Sequence, residues 1–462
     1  MPTIRNHKQG SLQLSKVAST LIIIFSITTS LNVLSSELPA KIVTTESKNK
    51  VDNIEIIEVK ARRNQANSEV SVETQKLLKV AGLDHDPLSA VYSMPGVVYA
   101  GGDSGGEPAI RGSSPDDNAF YIDDMPAPKG TLHVAFALSE VAHGKINKID
   151  ISSAKEAEGV HSILLAKDIE NLYIGAIKHD EPILADEEVL FYGQAIAAVL
   201  ADSHENARAA ALLITTDVKE LEAVVTIDQA MAKNSFLDEP IIVSTGDSTK
   251  AIDSSKNKLD GSISIGGQEH YYLEGQVAFA IPTEDNEMVV HSSTQNPTEV
   301  QHLVAHVLDV PQNAIEVVTR RMGGGFGGKE TDSSQLACVC AIFANQTKLP
   351  IKARLSRKDD ILMTGKRHDF KANYKVGYDD DGRILGIEVD LAARCGYSLD
   401  LSKAIVSRAL FHADNAYFLP NATFRGFLCK TNTASNTAFR GFGGPQGMLA
   451  IENIIEEIAM NI

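Results

Sequence analysis

Cysteine is scarce: four residues in 462, too few for a disulfide framework. Cys338 and Cys340 stand one residue apart, Cys395 and Cys429 are isolated, and no C-x-x-C occurs. That pattern argues against a zinc or iron–sulfur site within the chain. Basic residues are also few, 43 Lys+Arg against 60 Asp+Glu, for a net charge of −17. Nucleic acid is therefore excluded as a partner, because polyphosphates recruit clustered Lys and Arg. Tryptophan is absent, with no bearing on function. What remains is 43% apolar and 22% charged, the balance of a chain that buries a core. At about 100–200 residues per domain, the length predicts two to four domains.

Arg5, Lys8 and Lys16 precede the apolar run Leu21–Phe25, which fades through Thr28, Ser30 and Asn32 into Ser35-Ser36. A basic start, short apolar middle and small residues predict a secretory signal over 1–36. A membrane span needs roughly 20 mostly apolar residues, and this run is interrupted. Residues 37–53 have linker composition.

From Ile54 a strand-like run leads into helical spacing over Ser71–Val80 and Asp86–Met94, stopped by Pro95-Gly96. Val97-Val98-Tyr99, Ile110-Arg111-Gly112, Ser114-Pro115-Asp116-Asp117-Asn118 and Tyr121-Ile122-Asp123 follow as short strands and turns. As a set, residues 54–125 resemble the plug domain of TonB-dependent outer-membrane receptors. Such plugs sit inside barrels of amphipathic strands, and the sequence after residue 130 supplies no such strands. Contact with the outer membrane follows only from this plug resemblance.

After Met125-Pro126 the character changes. Leu132–Leu138 reads as a strand, Ala142–Ile146 leads into a strand at Ile149–Ile151, and Ala154–Gly159 as a short helix. Val189–Ala201 is strand-rich, and Ser203–Leu213 is an amphipathic helix. This alternation predicts an α/β or α+β module near 128–235. Ser244–Asp260 is polar again, and a further segment opens at Ser262.

The chemistry concentrates in glycine. After the apolar run Ile315–Val318 comes Met322-Gly323-Gly324-Gly325-Phe326-Gly327-Gly328-Lys329-Glu330. Without a Cβ, such a backbone can point several N–H groups at one anion. Gly323, Gly328 and Lys329 have P-loop spacing, but Glu330 stands where Ser or Thr must hold Mg²⁺. Gly323, Gly325 and Gly328 satisfy the dinucleotide pattern, yet no acidic residue closes a strand about 20 positions on. A second loop, Ala438-Phe439-Arg440-Gly441-Phe442-Gly443-Gly444-Pro445, again sets Phe among glycines. Two such loops predict paired backbone cradles for one flat anionic ligand. Arg408-Ala409-Leu410-Phe411-His412 lies between them, and Gly266-Gly267-Gln268-Glu269-His270 upstream. Taken singly, Gln268 reads as a strand residue, Arg408 as a solvated helix charge and Lys329-Glu330 as an exposed ion pair worth under about 1 kcal/mol. His270, His291, His302, His306, His368 and His412 show no metal-site spacing.

Taken together and in order, these runs, with Ser293-Thr294-Gln295-Asn296 and Asn436-Thr437-Ala438-Phe439-Arg440-Gly441-Phe442, resemble the molybdenum-binding subunit of xanthine dehydrogenases over 126–462. The resemblance implies an α+β multidomain chain: an α/β-hammerhead domain over 126–235 and the first part of a molybdopterin-binding domain over 236–462, behind the plug-like fragment. It implies a molybdenum–molybdopterin cofactor that activates an oxygen for attack on an electron-poor purine carbon, converting hypoxanthine and xanthine to urate. A partner subunit carrying 2Fe-2S and FAD would remove the electrons. Gln268 would hydrogen-bond an oxygen ligand of molybdenum, Phe326 and Gly327 would line the metal, and Arg440 would hold the cofactor. Glu330 and Arg408 would bind opposite edges of the purine, with Phe442 stacked on its face. Aldehyde-oxidising members of the resembled family usually carry uncharged residues at this pair, so the resemblance, with Glu330 and Arg408 present, implies a purine rather than an aldehyde.

The same resemblance places the catalytic base glutamate beyond Ile462, so no residue here is matched to it and the isolated polypeptide is expected to be inactive. Tyr121–Pro126 fits both families, which predicts a chimera of a receptor gene and a dehydrogenase gene joined there. The two parts predict conflicting locations: cell envelope for signal and plug, cytoplasm for the enzyme.

Overall fold

The computed structural model describes residues 97–99, 108–110 and 128–462. The export signal, the linker, the join near residue 125 and all of the plug-like segment except two strands lie outside the described residues. Those strands, β1 (Val97–Tyr99) and β2 (Pro108–Ile110), pair antiparallel with Val97 opposite Ile110. Among the described residues no helix is long and apolar enough to cross a membrane.

The next stretch contains β3 (Leu132–Leu138), β4 (Gly144–Asp150), α1 (Ser152–Lys155), β5 (Val160–Leu165), β6 (Tyr173–Ile174), β7 (Glu181–Pro182), β8 (Glu188–Val189), β9 (Ala195–Ala201), α2 (His204–Ala211) and β10 (Thr215–Glu220). Every side chain of β9, Ala-Ile-Ala-Ala-Val-Leu-Ala, is buried, as a continuous apolar run in a covered central strand requires. Helix α2 starts where Ser203 Oγ accepts from the Asn206 N–H at 3.1 Å. Two expectations shift. The strand expected at Ile149–Ile151 begins already at Gly144, and the short helix expected at Ala154–Gly159 runs over Ser152–Lys155.

The remainder holds α3 (Ile227–Lys233), β11 (Ile241–Thr245), α4 (Ser248–Ser254), β12 (Asn257–Ile265), β13 (Val277–Pro282), β14 (Met288–Ser292), α5 (Pro297–Leu308), β15 (Ile315–Val318), α6 (Ser333–Thr347), β16 (Ile351–Arg354), α7 (Arg357–Met363), β17 (Phe370–Tyr378), β18 (Ile384–Gly396), α8 (Ser402–Leu410), β19 (Ala422–Lys430) and α9 (Gly444–Asn461). The polar stretch Ser244–Asp260, which reads as a break, is the end of β11, all of α4 and the start of β12. Its polarity reflects strand alternation with one face outward, since β12 alternates half-buried and exposed residues.

Two large sheets organise this chain. One is five-stranded, β11-β19-β18-β17-β12, and carries α8 and α9 on its apolar face. The other has seven strands in the order β15-β14-β13-β16-β3-β9-β5. It draws strands from both sides of residue 235: β3 runs parallel to β16, Leu132 opposite Ile351. The first module is therefore welded to the second by a shared sheet. Helix α6 packs on this sheet with Leu336 through Ala344 buried, a helix apolar on nearly all sides because it is enclosed. Cys338 and Cys340 lie in it, and all four cysteines are buried free thiols. Burial pushes the Cys429 thiol up to about 12.

Helices α8 and α9 cross in backbone contact at glycine. A Cβ at Gly447 would stand 2.1 Å from the Ala409 carbonyl oxygen. Helix propensity alone would credit Gly447→Ala with about 1 kcal/mol of added stability. Overpacking wins instead: urea denaturation is expected to show a loss of about 1–3 kcal/mol.

Candidate active site

Three irregular segments converge where the two sheets' connections meet. The first leaves β12 at Ile265 and returns to β13 at Val277. In it Gln268 is exposed, and its main-chain carbonyl accepts from the Arg367 N–H at 2.9 Å. Two residues on, His270 is only 6% exposed. Its Nε2–H donates to the Ala438 carbonyl at 2.7 Å, and its ring stacks on Phe439 at 4.6 Å. Burial lowers the proton affinity of this imidazole.

The second segment is the glycine loop between β15 and α6. Phe326 holds φ 54° and Gly327 φ 105°. Gln295 organises the turn: its side-chain oxygen accepts from Gly327 N–H at 2.8 Å and Lys329 N–H at 3.3 Å. Its own N–H donates to the Lys329 carbonyl at 2.7 Å. Lys329 overturns the expectation of an exposed ion pair. It is fully buried, and Nζ donates to the carbonyls of Glu274 at 2.8 Å and Met322 at 2.6 Å. Nζ also lies 4.5 Å from the centre of the Tyr272 ring. Burial draws its pKa down to about 8, so it remains an ammonium at neutral pH. Next to it Glu330 is half-buried, and desolvation, aided by the charge of Asp400, raises its carboxyl above the usual range.

The third segment is the loop that opens α9. Phe442 also holds a left-handed φ of 49°, and its N–H donates to the Phe439 carbonyl at 2.7 Å. Arg440 is exposed, and its N–H donates to the Phe326 carbonyl at 2.9 Å, joining the two glycine loops directly. Gly327 packs so tightly on Ala438 that a Cβ there would meet the Ala438 oxygen at 2.5 Å.

Arg367, a residue that spacing did not single out, ties the first segment to the third. Its guanidinium lies 3.9 Å over the Phe439 ring and donates through Nη2 to the Arg440 carbonyl at 2.9 Å. Its Nε and Nη1 are buried with no protein partner. No periodicity in the sequence marks this residue; the signal is tertiary. Gln295 was visible only as part of a matched run.

The structure thus brings Gln268, Phe326, Gly327 and Arg440 into one connected cluster. Glu330 closes the first loop, with its N–H donating to the Gly327 carbonyl at 3.2 Å. Arg408 sits exposed on α8. That helix backs onto the second loop, because a Cβ at Gly443 would meet the Ile405 carbonyl at 2.1 Å. Gln268 lies in the loop after β12, so the strand reading is corrected: β12 ends at Ile265, before Gly266-Gly267.

The donor set decides what such a cluster can hold. Among the described residues no group of three or more His, Cys, Asp or Glu is arranged to grip a metal ion. A metal here must bring its own ligands. The cluster offers two glycine-lined backbone loops, an amide, and guanidinium hydrogens without partners. These suit an anionic organic group carrying its own metal, and molybdopterin, which binds molybdenum through its own sulfurs, fits that description.

This fold and cluster define a molybdopterin-binding chain. The molybdopterin cofactor-binding domain matches residues 232–462, and the a/b hammerhead domain of aldehyde oxidase and xanthine dehydrogenase matches 117–222. The chain belongs to the molybdopterin-binding family of xanthine dehydrogenases and aldehyde oxidoreductases. It is 43% identical over 343 residues to xanthine dehydrogenase/oxidase of Felis catus, covering 74% of this chain and 26% of that protein. To xanthine dehydrogenase of Drosophila subobscura it is 42% identical over 346 residues, covering 74% and 26%. Among solved structures, aldehyde oxidoreductase from Desulfovibrio gigas superposes with a TM-score of 0.67 at 29% identity, covering 72% of this chain and 39% of that one. Quinoline 2-oxidoreductase from Pseudomonas putida 86 gives 0.67 at 25%, covering 74% and 46%. These relatives are oxidoreductases, and the chain spans about a quarter of the length of the curated ones.

Proposed function

We propose that this chain supplies the cofactor cradle and the purine-facing residues of a xanthine dehydrogenase-type hydroxylase. The observation that carries the reading is the direct joining of the two Gly/Phe loops, Arg440 N–H to Phe326 carbonyl, beside the Gln268 segment. When bound, the cofactor supplies Lewis-acid and two-electron redox chemistry. Gln268 donates its amide to an oxygen of the bound group, while Phe326 and Gly327 shape the wall beside the metal. Arg440 and the unpartnered edge of Arg367 balance the group's negative charge.

Glu330 and Arg408 take the substrate. A carboxyl with raised proton affinity can accept or donate a hydrogen bond at a ring nitrogen edge. A guanidinium placed across the ring stabilises negative charge as it develops there, and Phe442 covers the ring face. Electrons leave through an iron–sulfur and flavin partner.

The test is urate formation from xanthine by this chain produced together with such a partner and with the C-terminal part of a xanthine dehydrogenase, which carries the base glutamate. Glu330→Gln and Arg408→Ala are each expected to lower the rate about 10²-fold or more, the range for losing one oriented polar group in a dry site. Faster oxidation of an aromatic aldehyde than of xanthine, with both variants unaffected, would replace the purine reading by an aldehyde one.

A further inference from the structure

Where the hammerhead segment packs on the cofactor-binding segment, a cavity of about 40 Å³ remains. At roughly 10–15 Å³ per water, it has room for about three. Glu181 and Gln194 line it from one side, and Thr331, Asp332, Tyr397 and Ser435 from the other. The Gln194 Nε2 amide has no hydrogen-bond partner although the residue is only 3% exposed. Such a donor, aimed into a polar cavity, calls for water.

The acids around this cavity are crowded by one another. Ser398 Oγ donates to Glu181 at 2.7 Å, and Gly365 N–H donates to Asp332 at 3.1 Å. Glu181 is destabilised as an anion by burial, then by Asp400, Asp332 and Asp180. Asp332 is destabilised by burial, then by Asp400 and Asp360, with Lys366 the opposing cation. Asp400 is 4% exposed, and its Oδ2 has no partner. Burial disfavours its anion, Thr437 and Thr331 oppose that in part, and Asp180 adds further repulsion. Asp180 is itself raised by burial against the weaker pull of Lys178 and Lys430. Glu299, Glu330 and Tyr397 are raised chiefly by burial, with Asp400 a smaller contribution to each and Glu181 the larger charge beside Tyr397. The carboxylates do not converge as a metal site among the described residues. Beyond the Lys366 charge opposing Asp332, protonation, with water between the acids, neutralises them.

We propose that this seam is a hydrated proton store, in which Glu181 and Asp332 share protons at neutral pH around water held by Gln194. It stands independently of the purine reading. Its position gives it reach: Thr331 follows the first glycine loop, Thr437 precedes the second, and their hydroxyls are hydrogen-bonded at 3.1 Å. These acids bind protons more tightly folded than unfolded. Their contribution to stability is therefore complete below about pH 4 and is lost as pH rises through the raised folded values.

Infrared spectroscopy of the full chain in D₂O tests the store without any need for turnover. At neutral pH the wild type is expected to show the carbonyl stretch of protonated carboxyl groups. Glu181→Gln and Asp332→Asn are each expected to remove part of it, with a loss of about one protonated carboxyl per chain in the double variant. Absence of the band in the wild type, or a band untouched by either substitution, would overturn the proposal. So would a band that appears only after chelation, because the acids would then be ionised around a divalent cation. If the variants do not fold, the wild-type band decides by its pH midpoint, which must lie above the ordinary carboxylate range.

Discussion

Gly327→Ala is expected to cost the chain about 2–6 kcal/mol, a large part of a typical domain's total of 5–15. Two penalties add. The residue sits at φ 105°, where an L side chain is strained by about 1–3 kcal/mol. Its new Cβ would also lie 2.5 Å from the Ala438 oxygen, 2.6 Å from its carbonyl carbon and 2.9 Å from the Phe439 Cα. All three are backbone atoms, so no rotamer change relieves the clash, and overpacking adds about 1–3 kcal/mol. The loops must separate, which breaks the Arg440–Phe326 hydrogen bond. Urea denaturation measures the cost, and new protease cleavage within 322–330 and 438–443 reports the separation. Gly266→Ala is the control. Nothing lies within 4 Å of a Cβ there, and its stability is expected to stay within about 0.5 kcal/mol of wild type. Equal effects from the two substitutions would show that the loops do not pack as described.

Lys329→Met is expected to destabilise by about 2–5 kcal/mol. Methionine matches the stem of lysine but leaves the Glu274 and Met322 carbonyls without their donor. Each buried acceptor left unpaired costs about 1–3 kcal/mol. Neighbouring Asp360 would also lose a nearby cation, keeping its bonds from Tyr272 at 2.7 Å and Thr364 at 3.4 Å and the Arg357 contact at 3.4 Å. The pH dependence gives the substitution a signature beyond simple loss. Lys329 has a folded pKa of about 8, below the unfolded value near 10.4, so the unfolded chain binds more protons between the two. Stability contributed by the wild-type lysine therefore rises with pH across that window. The wild-type advantage over Lys329→Met should be smallest at neutral pH and grow toward pH 10 in paired urea titrations. A constant gap would place the ammonium in contact with water.

The order of chemical motifs along the chain was legible without coordinates, because each rests on local physics. Glycine without a Cβ marks a loop that must approach something closely, and proline after Gly443-Gly444 marks the start of α9. Those signals need only neighbours in sequence, and they located Gln268, Phe326, Gly327, Arg440 and Phe442 in segments that do meet. Folding added what depends on partners far away along the chain. The burial of Lys329 is set by Glu274 and Tyr272, more than fifty positions earlier, and no nearby residue announces it. Arg367 gains its place from Phe439 and Arg440, and the shared seven-stranded sheet exists because β3 found β16. The acids of the seam are ordinary surface residues in the sequence. Their crowding arises from burial and from charges that only the packed chain sets side by side.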